Sequence, residues 1–408
     1  MLYNLAISLY LLCVRIVAFI RPKSKAARMV RGHKVVFDTL RSKIDQKAKY
    51  IWFHAASLGE FEQGRPMIEY IRRTHPEFKI LLTFFSPSGY EVRKDYKGAD
   101  VVCYLPIDTP INAYRFVEKV HPCMVFFIKY EFWRNYLYNL HRRNIPVYSI
   151  SSIFRPSQVF FRWYGGDYRH VLKYFTHLFV QNQQSKDLLA KIGLTNTTIV
   201  GDTRFDRVLD IFKAAKHLPL VEKFKDERLT LVAGSSWAPD EDLLIDYFNR
   251  HPEMKLIIAP HVVSEAHLAE IKSKLKRTSL PYSQATEENV KSVECLIIDG
   301  YGLLSSIYRY GEVAYVGGGF GVGIHNVLEA AVYGIPVLFG PNNEKFREAR
   351  HLLESKGGFE VKNQQDFDAL MDRFISDSTY LQEVGKAAGD YVAHNAGATE
   401  KVMKFLQL

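Results

Sequence analysis

The sequence is poor in the features that mark several function classes. Its four cysteines, Cys13, Cys103, Cys123 and Cys295, are far apart and lack metal-ligand spacing, so a reducing compartment and no structural zinc are expected. No repeat of solenoid period is present, and no RNP, KH or zinc-finger pattern accompanies the net charge of +10, so no nucleic-acid partner is expected. There is neither a GxGxxG run followed by an acidic residue about twenty positions on nor a GxxxxGK[ST] run, which excludes the dinucleotide fingerprint and the P-loop. No DxD-like metal motif is found, and no metal or other cofactor is expected.

Long apolar runs are also scarce, with one exception. Residues 1–20 are apolar apart from Asn4, Ser8 and Arg15, and from Arg21 to Lys49 ten Lys or Arg face only Asp38 and Asp45, a local net of +8. The charges follow the apolar stretch instead of preceding it and no A-x-A site is present, which disfavours a signal peptide. With Arg15 inside it, a full span is marginal. An anchoring or interfacial helix beside a basic belt fits better, with an anionic membrane surface as partner and the rest on the cytoplasmic side. An ordinary core helix followed by a solvated basic loop is the other reading.

The 408 residues are enough for two domains. From residue 49 the chain alternates short β-type runs with amphipathic stretches. Strands are predicted at 50–55, 79–84, 100–104, 124–128, 146–150, 177–181 and 197–200, then at 229–233, 255–259, 294–298, 313–316 and 335–339. This divides the chain into a membrane-associating segment (1–48), a Rossmann-like domain (49–205), a polar linker (206–227) and a second Rossmann-like domain (228–408), an α/β architecture of two domains facing a cleft.

Residues 313–341 read as strand, glycine loop, helix and strand, with Asn326 opening the helix and Gly334 closing it. Such loops sit where open α/β sheets bind ligands, and a nucleotide is the expected one. Asn326 and Glu329 are spaced as N-cap and N3, so they form an Asn variant of a capping box or else face the ligand. Ser235 lies where a hydroxyl and backbone N–H groups could meet a phosphate. In the first half, HAASLGE places Glu60 at a strand-to-helix turn, either as a general base or as an ordinary first-turn acid.

Five motifs in order, HAASLGE (54–60), KYEFWRN (129–135), GDTRFD (201–206), AGSS (233–236) and YVGGGFGVGIHNVLEAA (315–331), closely resemble those of the 3-deoxy-D-manno-octulosonic acid (Kdo) transferases. The resemblance spans nearly the whole chain, including the apolar and basic N-terminus. It implies the GT-B fold and inverting, metal-independent transfer of Kdo from CMP-Kdo to a lipid A precursor (lipid IVA), at the cytoplasmic face of the inner membrane, in lipopolysaccharide inner-core synthesis. It implies further that Glu60 is the general base, and that Glu131 and Arg204 stabilise the transition state. Donor contacts are implied at Pro260 and His261, at Tyr301, Gly302 and Leu303, and at Asn326, Val327, Leu328 and Glu329.

The chain departs from the family pattern at four places. Lys129 replaces the first glutamate of the second motif and Arg134 its proline, His261 replaces a phosphate-facing arginine, and Leu303 replaces a glutamate. Two other readings are another GT-B enzyme using a UDP-sugar, and a catalytically silent GT-B protein that binds lipid A.

Overall fold

The computed structural model describes residues 2–321 and 323–408; Met1, at the head of the apolar stretch, and Val322, in the glycine loop, lie outside the described residues. Two compact units form, one of residues 1–207 with 397–408 and one of residues 208–396.

The first unit is built on a parallel seven-stranded sheet. Its strands are β1 (Lys49–Ala55), β2 (Phe78–Phe84), β3 (Val101–Tyr104), β4 (Met124–Ile128), β5 (Val147–Ser152), β6 (His177–Val180) and β7 (Thr197–Ile199), in the order β3-β2-β1-β4-β5-β6-β7. The strands are near-continuous apolar runs because helices cover both faces. One face packs Trp52, Leu81, Val125 and Phe127, the other Ile51, Phe53, Leu82 and Phe126. Strand order reverses between β1 and β4, and the loops leaving these two strands flank the switch point where such sheets bind ligands.

Two helices precede the sheet, α1 (Leu2–Ile20) and α2 (Lys25–Lys43). Ser24 caps α2 by accepting from the Ala27 N–H at 3.2 Å, and Val36, Leu40 and the following Ile44 enter the core of the unit. The basic belt is thus the outer face of a helix anchored on the sheet, not a solvated loop. The helix α1 is apolar apart from Asn4, Ser8 and Arg15, yet leaves Leu5, Leu9, Leu12, Ile16 and Phe19 exposed.

In the second unit the strands are β8 (Leu229–Ser236), β9 (Met254–Pro260), β10 (Ser279–Pro281), β11 (Cys295–Ile297), β12 (Val313–Val316), β13 (Val337–Phe339) and β14 (Gly358–Glu360), ordered β10-β11-β9-β8-β12-β13-β14 and all parallel. The switch point falls between β8 and β12.

Three features differ from the sequence-based expectation. The segment expected as a polar linker carries the helices Thr203–Lys213 and Pro219–Phe224, whose Val221 and Phe224 are buried. The terminal helix Ala398–Leu406 counts with the first unit, because Ala398, Val402 and Met403 fill the core beside Phe61 and Ile68. Asp206 locks it there by accepting from the N–H groups of Gly397 and Thr399, both at 2.6 Å. The strands β10 and β14 are short three-residue runs with no extended apolar pattern to announce them.

Candidate active site

Glu60 follows β1. Ser57 caps the next helix, α3 (Leu58–Thr74), and Glu60 occupies its N3 position, with Oε2 accepting from the Ser57 N–H at 3.0 Å. This is a capping box, so the first-turn role is real. It does not exhaust the residue, since Glu60 shares its surroundings with a second carboxylate. Burial, followed by the like charge of Glu131, pushes the Glu60 carboxyl above its usual range, and His54 and Lys129 oppose that shift.

Glu131 follows β4, on the other side of the switch point. Lys129 takes a left-handed conformation (φ 64°) to turn the chain, and its carbonyl accepts from the Ser152 hydroxyl at 2.7 Å. Glu131 is only 8% exposed. Its Oε2 accepts from the Trp133 indole at 2.6 Å and from His54 Nε2 at 3.0 Å. His54 is fully buried on β1, with Nδ1 2.9 Å from the Thr83 hydroxyl, which lies 2.7 Å from the Trp52 indole. The Trp52 indole has no acceptor atom and so donates to Thr83 Oγ1, which also lies 3.4 Å from the Phe53 carbonyl, while His54 Nδ1 lies 3.2 Å from the Thr83 carbonyl.

Arg204 opens the helix Thr203–Lys213. Its Nε donates to Asp202 Oδ2 at 2.9 Å, while Gln63, one turn beyond Glu60 on α3, donates to Asp202 Oδ1 at 3.3 Å. The guanidinium is therefore tied beside the first turns of α3 and shares its charge with a buried carboxylate.

The donor candidates gather at the carboxyl ends of four adjacent strands, β11, β9, β8 and β12. Ser235 lies within β8 and not after it, at a register irregularity, in a left-handed conformation (φ 53°) that non-glycine residues rarely adopt. Pro260 ends β9, and the His261 N–H donates to the Ser236 carbonyl at 2.9 Å. The His261 ring stacks against both Trp237 (4.7 Å) and His325 (4.4 Å), and the Trp237 indole donates to His325 Nε2 at 3.2 Å. Burial, then the neighbouring His261, lowers the His325 pKa. Tyr301 is 75% exposed, and its hydroxyl accepts from the Val263 N–H at 3.2 Å, which joins its loop to the one after β9. Gly302 has φ 85°. Leu303 precedes the short helix Leu304–Ile307 and accepts from the Ser306 and Ile307 N–H groups.

In the glycine loop the backbone meets backbone. A Cβ on Gly319 would lie 2.5 Å from Gly340 atoms, and the Gly318 N–H is taken by Asp240 Oδ2 at 2.9 Å. The helix expected to open at Asn326 begins at Leu328 and lasts one turn, Leu328–Ala331. Asn326 Oδ1 accepts from the Leu328 N–H at 3.2 Å, and its Nδ2 donates to Glu329 Oε1 at 2.9 Å. The two residues thus bond side chain to side chain, not as a capping box. Val327 and Leu328, expected as donor contacts, are fully buried, backbone included, because their side chains pack into the core.

Sequence reading missed His54, Thr83 and Trp133 around Glu131, and Trp237, Asp240 and His325 around the glycine loop. Four of the six lay within or beside quoted motifs, but their partners are distant in the chain.

Residues 27–207 match the family described as 3-Deoxy-D-manno-octulosonic-acid transferase (kdotransferase). The chain is 27% identical over 333 residues to the 3-deoxy-D-manno-octulosonic acid transferase of Aquifex aeolicus (strain VF5), covering 80% of this chain and 86% of the relative. It is 24% identical over 370 residues to the enzyme of the same name from Haemophilus influenzae, covering 88% and 86%. Among solved structures it is similar to UDP-GlcNAc 2-epimerase from Neisseria meningitidis (TM-score 0.61, 13% identity, 88% of this chain and 99% of that one). It is also similar to MurG from Acinetobacter baumannii (TM-score 0.56, 10% identity, 88% and 99%). At these identities the structures speak for fold alone, and that fold is GT-B. The chain thus resembles the Kdo transferases, which are glycosyltransferases, through the family match over residues 27–207 and through relatives of that name that align with 80% or more of it.

Proposed function

We propose that the chain transfers Kdo from CMP-Kdo to a lipid A precursor, lipid IVA, with inversion at the anomeric carbon. The observation that carries this reading is the pair Glu60 and Glu131, placed by β1 and β4 in one electrostatic environment, with the Glu60 carboxyl raised. A raised carboxylate is the stronger base for a sugar hydroxyl. Glu60 takes the hydroxyl proton as the oxygen attacks the anomeric carbon of Kdo, and the bond to the CMP phosphate breaks. Glu131, held by Trp133 and His54, steadies positive charge developing on the sugar. Arg204 steadies the transition state, and in the second unit the Ser235 hydroxyl and nearby N–H groups hold the donor; no metal takes part.

The second unit holds CMP-Kdo through the residues after β8, β9, β11 and β12, and α1 with the basic face of α2 brings the enzyme to the cytoplasmic face of the inner membrane. The exposed apolar side chains of α1 support that placement. The test is incubation with lipid IVA and freshly generated CMP-Kdo, reading the lipid by mass spectrometry. A gain of one or more Kdo units is expected. Binding of CMP with no gain supports the silent-binder reading, for which the engaged ring of His261 speaks, and protection by UDP in place of CMP supports a UDP-sugar enzyme.

A further inference from the structure

A cavity of about 310 Å³ lies on the first unit, lined by α1, α2, the loop after β3 and the helix Pro110–Val120, and neither Glu60 nor Glu131 contributes to it. Its volume is near ten waters' share of liquid. Its walls divide by chemistry. Leu11, Met29 and Phe37 supply apolar surface, and Arg15, Lys34 and Arg115 supply three cations from three different helices. Among the described residues, no Asp or Glu lines it. None of the three cations has a hydrogen bond or ion pair among the described residues, although Arg28 and Arg41 of the same α2 pair with Glu91 and Asp38. His33 also lines the cavity, and its Nε2 is buried without a hydrogen-bond partner.

The walls are held in place. Tyr3 donates to Asp108 at 2.6 Å and Asn135 donates to Asn4 at 2.9 Å, fixing α1 next to the loop whose Pro106 and Ile107 complete the lining. Three cations around apolar walls suit one kind of occupant, an amphiphile with an anionic head. A small free anion leaves the apolar walls uncovered, and a zwitterionic lipid leaves the cations unbalanced. The exposed face of α1 supplies the bilayer that would deliver it.

We propose that this cavity binds the phosphate headgroup of one anionic phospholipid, with the start of an acyl chain against Leu11, Met29 and Phe37. Neither Glu60 nor Glu131 lines the cavity, which sets it apart from the place where the acceptor hydroxyl reacts, so we assign it to a lipid of the bilayer whichever sugar the enzyme transfers.

The experiment titrates full-length protein in mild non-ionic detergent with short-chain phosphatidylglycerol. Phosphatidylcholine of the same chain length, glycerol phosphate and inorganic phosphate form parallel arms, and binding is read by calorimetry and by native mass spectrometry. Saturable one-to-one binding of phosphatidylglycerol is expected. It should weaken about tenfold or more in Lys34→Gln/Arg115→Gln, which removes charge-assisted contacts, and far less in Arg21→Gln/Lys23→Gln, where the same charge is lost outside the cavity. Val30→Trp fills the cavity without changing charge and should weaken binding similarly, which keeps the test informative if the double variant fails to fold. Absence of saturation, equal weakening by both glutamine pairs, or inorganic phosphate competing as strongly as the lipid would each overturn the proposal. Every readout is binding, so failure here is distinguishable from failure of the transferase reading.

Discussion

At the edge of the first sheet, Glu131 is buried and both its donors come from ordered rings. At the edge of the second, Tyr301 and Asn326 are exposed and much of the loop backbone is engaged with other backbone or with Asp240. One edge is preorganised through side chains, in a low-dielectric setting where a misplaced carboxylate is costly. The other is preorganised through backbone packing and leaves its side chains in reach of solvent. A group that stabilises a transition state must not have to reorganise as charge develops, whereas recognition of a nucleotide tolerates side chains that settle on binding. The difference teaches that chemistry and donor selection are separable, and substitutions should separate them.

The largest effect is expected from Glu60→Gln. Loss of a general base lowers kcat by about 10²–10⁴-fold, while CMP should raise the melting temperature as in the parent protein; retained turnover would remove Glu60 from this role. Trp133→Phe keeps the ring and removes the 2.6 Å donor to Glu131. A hydrogen bond to a charged group is worth about 1.5–3 kcal/mol, so kcat should fall about 10- to 100-fold, with KM for CMP-Kdo little changed. An equal rise in KM would show that the two edges are not separable.

A pH profile sharpens the same point. Glu60 works deprotonated, and its pKa is raised by burial and then by Glu131, so activity should fall on acidification at a pH above the ordinary carboxylate range. Glu131→Gln removes the like charge and should move that acid limb to lower pH, besides slowing turnover. An unmoved limb would mean that the pair does not interact. At the second edge, His261→Ala opens the Trp237–His261–His325 stack. An aromatic pair is worth about 0.5–1.5 kcal/mol, so CMP affinity should fall a few-fold, with kcat at saturating donor preserved. The smallest effect is expected from EDTA, which should leave turnover unchanged; a loss restored by a divalent ion would rule out the metal-free reading.

Much of this fold was legible in the sequence because buried parallel strands are written as short apolar runs. Both Met124–Ile128 and Val313–Val316 form at the predicted bounds. The misses have local causes. Ser235 extends β8 only because its neighbour Ser236 pairs with Pro260 across an irregular register, and the helix after the glycine loop starts at Leu328, with Asn326 bonded forward to Leu328 and Glu329 instead of capping at its own position. The helix Ala398–Leu406 carries an ordinary amphipathic pattern, and nothing in it says which core it will cover.

By itself the sequence determined the two sets of βα units, the apolar N-terminal helix with its basic flank, and the motifs that the chain shares with the Kdo transferases. It did not determine which motif residues meet. Glu60 and Glu131 come together because β1 and β4 are neighbours in the sheet, although β2 and β3 separate them in the chain. His54 reaches Glu131, and Thr83 reaches His54, across the same strand pairings. Local propensity and periodicity report whether a residue is extended or helical and which way it faces, but strand order is set by the packing of whole layers, and only that order turns separate motifs into one site.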